Sequence, residues 1–382
     1  MAHPTILLHD IQVQPPPFQA SQESILEWIA AAHGRAEAGL RRPESAEQRA
    51  ALEQKLRKLV LRFGCSTDRI RTRGSVLADF THTDWERMRI FQLDRHPEGL
   101  PSGERSRVFQ EVAEAALERF YPEGSDAPPA LLHVTCTGYV APSAAQRLVA
   151  ARGWGLRTEV YHAYHMGCYA ALPALCMAAG FLARGKERVD LVHTELCTLH
   201  LNPAQHLPEQ LVVQTLFADG LVRYSVSPAG AGPGLEWLAG REEVVPDTAS
   251  AMSWMVADHG MEMTLSRRIP EYLGGALEPF LERLAADGGV SAGALRAQAW
   301  FAIHPGGPRI VDELAELLGL GPEQVAASNG VLRDHGNMSS ATLPHVWKSL
   351  LEDPGVPAGA WIVSLAFGPG LTIAGALARK RA

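Results

Sequence analysis

The sequence predicts a layered α/β protein in which buried strands alternate with helices through two successive halves. Three observations carry this. Residues 130–137, 189–194, 299–304 and 361–367 are short, predominantly apolar runs, the pattern of strands covered on both faces. Stretches with helical apolar spacing, such as 105–120 and 310–318, lie between such runs. Residues 227–240 hold Pro228, Gly230, Gly232, Pro233 and Gly234, a boundary signal that sets a first half (1–230) apart from a second (231–382).

Taken in order, residues 5–11 form a first strand, ended by the rigid Pro15, Pro16 and Pro17. Ser21 caps a helix through 24–29. Residues 43–62 make a strongly charged helix with Leu52, Leu56, Leu59 and Val60 as its apolar stripe. Arg69, Arg71 and Arg73 then recur at every second position. With Lys55, Lys58 and Arg62 they form either a solvated face or a basic collar. A helix over 105–120, a loop over 124–129 and a strand over 130–137 lead to a turn at Gly138. A helix over 144–151 and a strand over 156–161 feed Gly167 and Cys168. From Cys168 to residue 183 the chain is small and apolar on all sides, which predicts a buried helix starting near Cys168. A strand over 189–194, a helix over 210–217 and a strand over 222–226 complete the first half. The second half has helices over 271–286 and 290–298, a strand over 299–304, helices over 310–318 and 340–351, and a strand over 361–367. Gly368, Pro369 and Gly370 turn the chain into a last strand, 371–377, leaving for the surface.

Composition narrows the function. The chain has 382 residues, 46% hydrophobic and 20% charged, ample for a large core. A net charge of −7 argues against a general nucleic-acid binder. Cys65, Cys136, Cys168, Cys176 and Cys197 are odd in number and form no C-x-x-C pair, so neither a disulfide framework nor a zinc site is indicated and a reducing cytoplasm fits. Residues 1–10 carry no signal-peptide pattern, and no run of 18 apolar residues predicts a membrane span.

Three residues stand out as chemistry. A cysteine in the first turn of a helix faces unpaired N–H groups and the positive end of the dipole, which lowers a thiol pKa. Read alone, Cys168 is either that nucleophile or a core thiol. His304 ends a buried strand before Pro305, Gly306, Gly307 and Pro308, so it is either a core histidine or an imidazole projecting into a cavity. Asn337, beside Gly336 and ahead of a helix, is either a helix cap or a neutral donor.

In sequence order, these residues resemble the type III polyketide synthases, the chalcone synthase-like branch of the thiolase superfamily. The matching segments are Met166-Gly167-Cys168-Tyr169-Ala170, Leu216-Phe217-Ala218-Asp219-Gly220, Ile303-His304-Pro305-Gly306-Gly307-Pro308-Arg309-Ile310-Val311-Asp312, Gly336-Asn337-Met338-Ser339-Ser340-Ala341 and Ala366-Phe367-Gly368-Pro369-Gly370-Leu371-Thr372. The first hundred residues match weakly. The resemblance implies a thiolase-like five-layered α-β-α-β-α fold of two similar halves, the first carrying the nucleophile and the second His304 and Asn337, in a homodimer. It implies that Cys168 holds an acyl chain as a thioester. His304 pairs with its thiolate and, with Asn337, binds the carbonyl of a malonyl thioester as it decarboxylates; the resulting enolate attacks acyl-Cys168 in a Claisen condensation. No metal or redox cofactor is required. Phe217 matches a residue gating the cavity, Glu195 one near the nucleophile, and Thr137 is placed with the substrate. Gly368 and Pro369 would shape the cavity floor.

Departures from the family pattern bear on the substrate. Met263 stands at a second gating position where plant enzymes have phenylalanine, and a flexible methionine admits a long aliphatic chain. Cys197 and His200 fall near pocket threonines, where Cys197 either lines an acyl tunnel or is an inert buried thiol. Ala141 replaces a methionine that crosses the dimer interface. The basic CoA contacts do not align cleanly on residues 55–73, which leaves room for acyl carrier protein in place of acyl-CoA, docked on a collar of Lys55, Lys58, Arg62, Arg69, Arg71 and Arg73. The expected product is an α-pyrone or resorcinol from a long acyl substrate. The alternatives are a stand-alone ketosynthase joining two carrier-bound chains, one a β-ketoacyl thioester, or a catalytically silent acyl-binding paralogue. A papain-like hydrolase shares the Cys, His, Asn order but gives the Phe217–Gly220 and Phe367–Gly370 segments no role.

Overall fold

The structure, a computed structural model, describes residues 5–266 and 268–382. Residues 1–4, part of the segment searched for a leader, lie outside the described residues, as does the side chain of Pro308. In chain order the elements are β1 (Ile6–Gln14), β2 (Phe18–Ser21), α1 (Gln22–Arg41), α2 (Ala46–Phe63), β3 (Thr72–Ser75), α3 (Ser102–Phe120), β4 (Ala130–Thr135), α4 (Ala144–Ala151), β5 (Glu159–Tyr164), α5 (Ala171–Ala183), β6 (Val189–Leu196), α6 (Pro208–Leu216) and β7 (Asp219–Pro228). They continue as β8 (Gly234–Val244), β9 (Met252–Ala257), β10 (Gly260–Leu265), α7 (Ile269–Asp287), α8 (Ala292–Gln298), β11 (Trp300–Ile303), α9 (Pro308–Leu318), α10 (Ala326–His335), α11 (Thr342–Glu352), β12 (Trp361–Gly368) and β13 (Thr372–Arg381).

Among the described residues, nine strands join in the order β11-β12-β13-β8-β1-β7-β6-β4-β5. Parallel pairs β4/β5, β4/β6 and β11/β12 lie towards the two ends, and antiparallel pairs fill the middle. The two ends are joined by a short seam, in which β1 meets β8 only at Ile6–Trp237, Leu7–Glu236 and Leu8–Leu235. Three apolar cores define the layers. One packs α1, α3 and α4 on the first half-sheet. Another packs α7, α8 and α9 on the second. The third lies between the half-sheets, where α5 and α11 pack against strands of both. Helix, sheet, helix, sheet, helix is the five-layer order expected.

α5 explains how two sheets close on one helix. Ala170, Ala171, Ala174 and Ala178 are fully buried, and their small side chains let both sheets approach. The helix starts at Ala171, three residues beyond Cys168. Gly167 has φ +94°, and successive tight turns (Ala170 N–H to Gly167 O, 3.1 Å; Leu172 N–H to Tyr169 O, 3.0 Å) lead into the helix. Pro173 is tolerated because it falls in the first turn.

Elsewhere the structure corrects the sequence reading. β13 does not leave for the surface: it pairs with β12 on one side and β8 on the other, and Thr372–Ala378 are buried. The boundary 227–240 is mostly strand, leaving only residues 229–233 as the connection. The hairpin of β9 and β10 was not expected, nor was α10. Arg73 is not on a surface collar but 4% exposed, with Nε donating to Gln22 Oε1 (2.8 Å) and Nη1 to the carbonyls of Gln214 (3.0 Å) and Phe217 (2.7 Å). Arg69 and Arg71 are exposed but paired, with Asp312 (2.7 Å) and Asp334 (2.8 Å).

Candidate active site

Cys168 lies in the turn between β5 and α5, 8% exposed, on the wall of a cavity between the two halves. The cavity also meets Thr137, Cys197, Phe217, Met263 and Ser339, and its free volume is about 50 Å³. Cys168, Thr137, Cys197, Phe217 and Met263 are therefore brought together as the sequence led one to expect. Burial pushes the Cys168 thiol up to about 12; hydrogen bonds from the side chains of Ser339 and Asn337 act against this. The start of the helix does not lower the thiol pKa as expected, because desolvation outweighs any benefit of the helix end.

Asn337 is held by backbone and side chain alike. Its N–H donates to Leu216 O (3.0 Å), and its carbonyl accepts from Ala218 N–H (2.8 Å). The side-chain Oδ1 accepts from Ser339 N–H (2.9 Å), which turns Nδ2 toward Gly306 O (3.3 Å). Gly336, at φ +73°, leads into it; an added Cβ would stand 3.0 Å from Leu216 O. Ser339, a non-glycine residue at φ +51°, is one of the few in the left-handed region, and such outliers gather at functional sites.

His304 sits just past β11, its N–H donating to Leu365 O (2.7 Å). The ring is 1% exposed, and neither nitrogen has a hydrogen-bond partner. Burial pushes its pKa down to about 3, so the imidazole is neutral at physiological pH. Among the described residues no hydrogen bond or ion pair joins His304 to Cys168. The link between them is Asn337, whose amide favours the Cys168 thiolate and donates to the Gly306 carbonyl two residues beyond His304.

Three expected site residues lie behind the cavity wall. Glu195 is fully buried, accepting from Cys136 N–H (3.0 Å), Thr137 Oγ1 (3.0 Å) and Ser340 Oγ. Burial raises its pKa, against those donors. Gly368 packs on Tyr169 and Pro369 on Gly167, so this loop buttresses the turn that holds Cys168 and is not among the residues lining the cavity. Lys55, Lys58 and Arg62 are exposed on α2, outside the cavity, while the neighbouring α6 contributes Gln210, Val213 and Gln214 to its wall.

The sequence reading did not assign Ser339, Trp254, Met261 or Cys136 to the site. Trp254 and Met263 are register partners in the β9–β10 hairpin, which roofs the cavity. The hairpin tip is pinned by Ser102, whose Oγ accepts from Gly260 N–H (2.8 Å) and donates to Ala257 O. Asp219, from the Leu216–Gly220 segment, accepts from Thr198 N–H, Thr198 Oγ1 and Val76 N–H and is raised to about 6 by burial; it supports the wall and does not line it.

Residues 236–381 match the C-terminal domain of chalcone and stilbene synthases. The chain is 30% identical over 258 residues to type III polyketide synthase C of Arabidopsis thaliana, covering 65% of this chain and 67% of that one. It is 29% identical over 263 residues to 1,3,6,8-tetrahydroxynaphthalene synthase of Streptomyces griseus, covering 69% of each. Among solved structures, a polyketide synthase from the brown alga Ectocarpus siliculosus superposes with TM-score 0.82 at 19% identity, covering 100% of this chain and 99% of that one. The tetrahydroxynaphthalene synthase of Streptomyces coelicolor superposes with TM-score 0.77 at 24% identity, covering 98% and 99%. These superpositions establish the thiolase-like fold. With that fold and those relatives, the chain belongs to the type III polyketide synthase family of condensing enzymes.

Proposed function

We propose that this chain joins acyl units by decarboxylative Claisen condensation, with Cys168 as the acyl carrier and His304 and Asn337 as donors to the enolate. The observation carrying this reading is the Asn337 side chain, which favours the Cys168 thiolate and donates to the loop after a buried, unpaired His304. In loading, the Cys168 sulfur forms a bond to a thioester carbonyl, and the departing thiol takes the proton. A malonyl thioester then loses CO2; the electrons of the broken C–C bond form an enolate. The His304 imidazole recovers its desolvation cost when it donates to that developing oxyanion. The enolate carbon bonds to the acyl carbonyl, and the Cys168 thiolate leaves. In this reading residues 1–230 supply the nucleophile and 231–382 the donors.

Met261 and Met263 shape the substrate proposal. A free volume of about 50 Å³ holds only a few water molecules, so a long acyl chain is admitted by rotation of these unbranched side chains. The product is then an α-pyrone or resorcinol. Carrier-protein delivery is the second reading: Lys55, Lys58 and Arg62 form no ion pair among the described residues, whereas Arg69 and Arg71 do. Reversing these three charges should raise KM for a carrier-bound substrate and leave acylation of Cys168 by small thioesters intact; an unchanged KM removes this reading. The protein is proposed to act as a homodimer, which sedimentation equilibrium tests.

The main experiment is mass spectrometry after mixing with acyl-CoA and acyl carrier thioesters. A covalent acyl adduct on Cys168, lost in Cys168→Ala, is expected. No adduct, or one undiminished in the variant, would falsify the condensing role. Product analysis with malonyl-CoA and a panel of starters then separates repeated extension from a single joining of two chains.

A further inference from the structure

Cys136, just past β4, is a second buried thiol beside the nucleophile turn, and the reaction above gives it no role. All of its polar atoms are engaged. Its N–H donates to Glu195 Oε2 at 3.0 Å, and its carbonyl accepts from the Trp254 indole N–H at 2.6 Å. Its Sγ accepts from Gly167 N–H at 3.0 Å and donates to Gly167 O at 3.4 Å. A thiol is a weak donor and a weak acceptor at once, so only its protonated form makes both contacts. Burial keeps it protonated by pushing its pKa well above the ordinary range.

The residue being gripped is the one before Cys168. Gly167 sits at φ +94°, a conformation a side chain resists, with Pro369 closing the other side at 2.7 Å from where a Cβ would stand. The Gly167 carbonyl and the Cys168 N–H belong to one rigid peptide plane. That N–H favours the Cys168 thiolate. Holding the carbonyl therefore sets the direction of a hydrogen bond to the nucleophile.

We propose that Cys136 is a positioning residue for Cys168: its thiol clamps both polar groups of Gly167 and so orients the Gly167–Cys168 peptide whose N–H supports the Cys168 thiolate. The clamp ties the nucleophile turn to the cavity roof through Trp254 and to the buried Glu195, Ser340 and Thr137 cluster. It deepens the reading of Cys168 as nucleophile and rests on it, but its direct readout is thiol reactivity, which needs no substrate.

The test is the pH profile of Cys168 alkylation by iodoacetamide, read at the Cys168 peptide by mass spectrometry in a Cys176→Ser background that removes the exposed thiol. Cys136→Ala is expected to move the profile to higher pH and to slow alkylation at neutral pH by roughly tenfold. Cys136→Ser, which keeps a donor and an acceptor, is expected to restore most of the rate. In steady-state condensation, Cys136→Ala should lower kcat and leave KM within about twofold. A Cys136→Ala protein with the wild-type alkylation profile overturns the proposal. So does a folded serine variant as slow as alanine. If the alanine variant does not fold, Cys136→Ser and Trp254→Phe decide: the first must stay near wild type and the second must shift part of the way. A wild-type protein that alkylates normally yet takes no acyl group refutes the condensing role and leaves the clamp to be judged by alkylation alone.

Discussion

Phe217 and Asn337 lie side by side as an isolated parallel bridge, closed by Asn337 N–H to Leu216 O at 3.0 Å and Ala218 N–H to Asn337 O at 2.8 Å. A cavity-wall residue from one half and the amide side chain of the other are thus placed by the same two hydrogen bonds. Gly220 keeps the approach close, since a Cβ there would meet Met338 Cβ at 2.7 Å. Asn337→Ala keeps the backbone bridge and removes the amide. Condensation should fall by about 10²–10³-fold, as for loss of one oxyanion donor, while loading of Cys168 persists. Single-turnover acylation measured beside steady-state product formation checks this, and a variant that loses both steps together contradicts it.

Met263 should set chain length. Its side chain is 8% exposed on the cavity wall, beside Trp254 across the hairpin. Met263→Ala adds room where the acyl chain extends, so kcat/KM for long starters should rise relative to short ones, by up to about tenfold. Competition between two acyl-CoA starters reads the ratio directly. An unchanged ratio would show that the chain extends elsewhere.

Gly167 and Gly185 separate strain from fit. Both have positive φ, +94° and +91°, but a Cβ on Gly167 would stand 2.7 Å from Pro369 Cδ, whereas one on Gly185 meets nothing within 4 Å. Gly185→Ala should cost about 1 kcal/mol and leave activity intact. Gly167→Ala should cost more, roughly 2–3 kcal/mol, and should also slow Cys168 alkylation. Thermal unfolding and thiol labelling on the same samples test the pair.

Acid should unfold this protein early. Burial lowers the pKa of His33, His133, His193, His200 and His304 to about 3 and of His345 to about 4. The unfolded chain therefore binds more protons than the folded one between these values and the ordinary 6.5, and stability present above pH 6.5 is lost as pH falls. Asp219, raised to about 6, and Glu195, also raised, act in the opposite sense. The histidines outnumber the raised carboxylates, so the net effect is a loss of stability as pH falls, by about 1.4 kcal/mol per pH unit for each net proton. Against a typical stability of about 5–15 kcal/mol, unfolding is expected between about pH 4 and 6. Circular dichroism across that range tests it; a chain still folded at pH 4 would mean that water or local opening lets these rings protonate in place.

Much of this was legible in the sequence. β6, α4 and β12 follow from local apolar pattern, and Cys168 and Asn337 were picked out by glycines that forced unusual backbone. Other features depend on distant partners. Arg73 belongs to an alternating basic run that looks solvated; only the carbonyls of Gln214 and Phe217 and the amide of Gln22 make its burial tolerable. β13 reads in the sequence as a strand leaving for the surface, yet its first seven residues are buried between two partners. The β9–β10 hairpin is paired only with itself, and its buried face exists because the cavity lies beneath it. Cys136 carries no motif, and its contacts to Gly167 appear only when β4 and the nucleophile turn are in place.

The three-rung seam between β1 and β8 also bears on how the molecule assembles. Six residues are too few to hold two half-sheets together, so the union rests on α5 and α11, each of which is covered by strands of both halves. Cut at 229–233, either piece would present an apolar helix to water with half its cover missing. The halves are therefore not independent folding modules. Cys168, His304 and Asn337 become structured in one cooperative event, and a lesion in either half should be felt as loss of the whole.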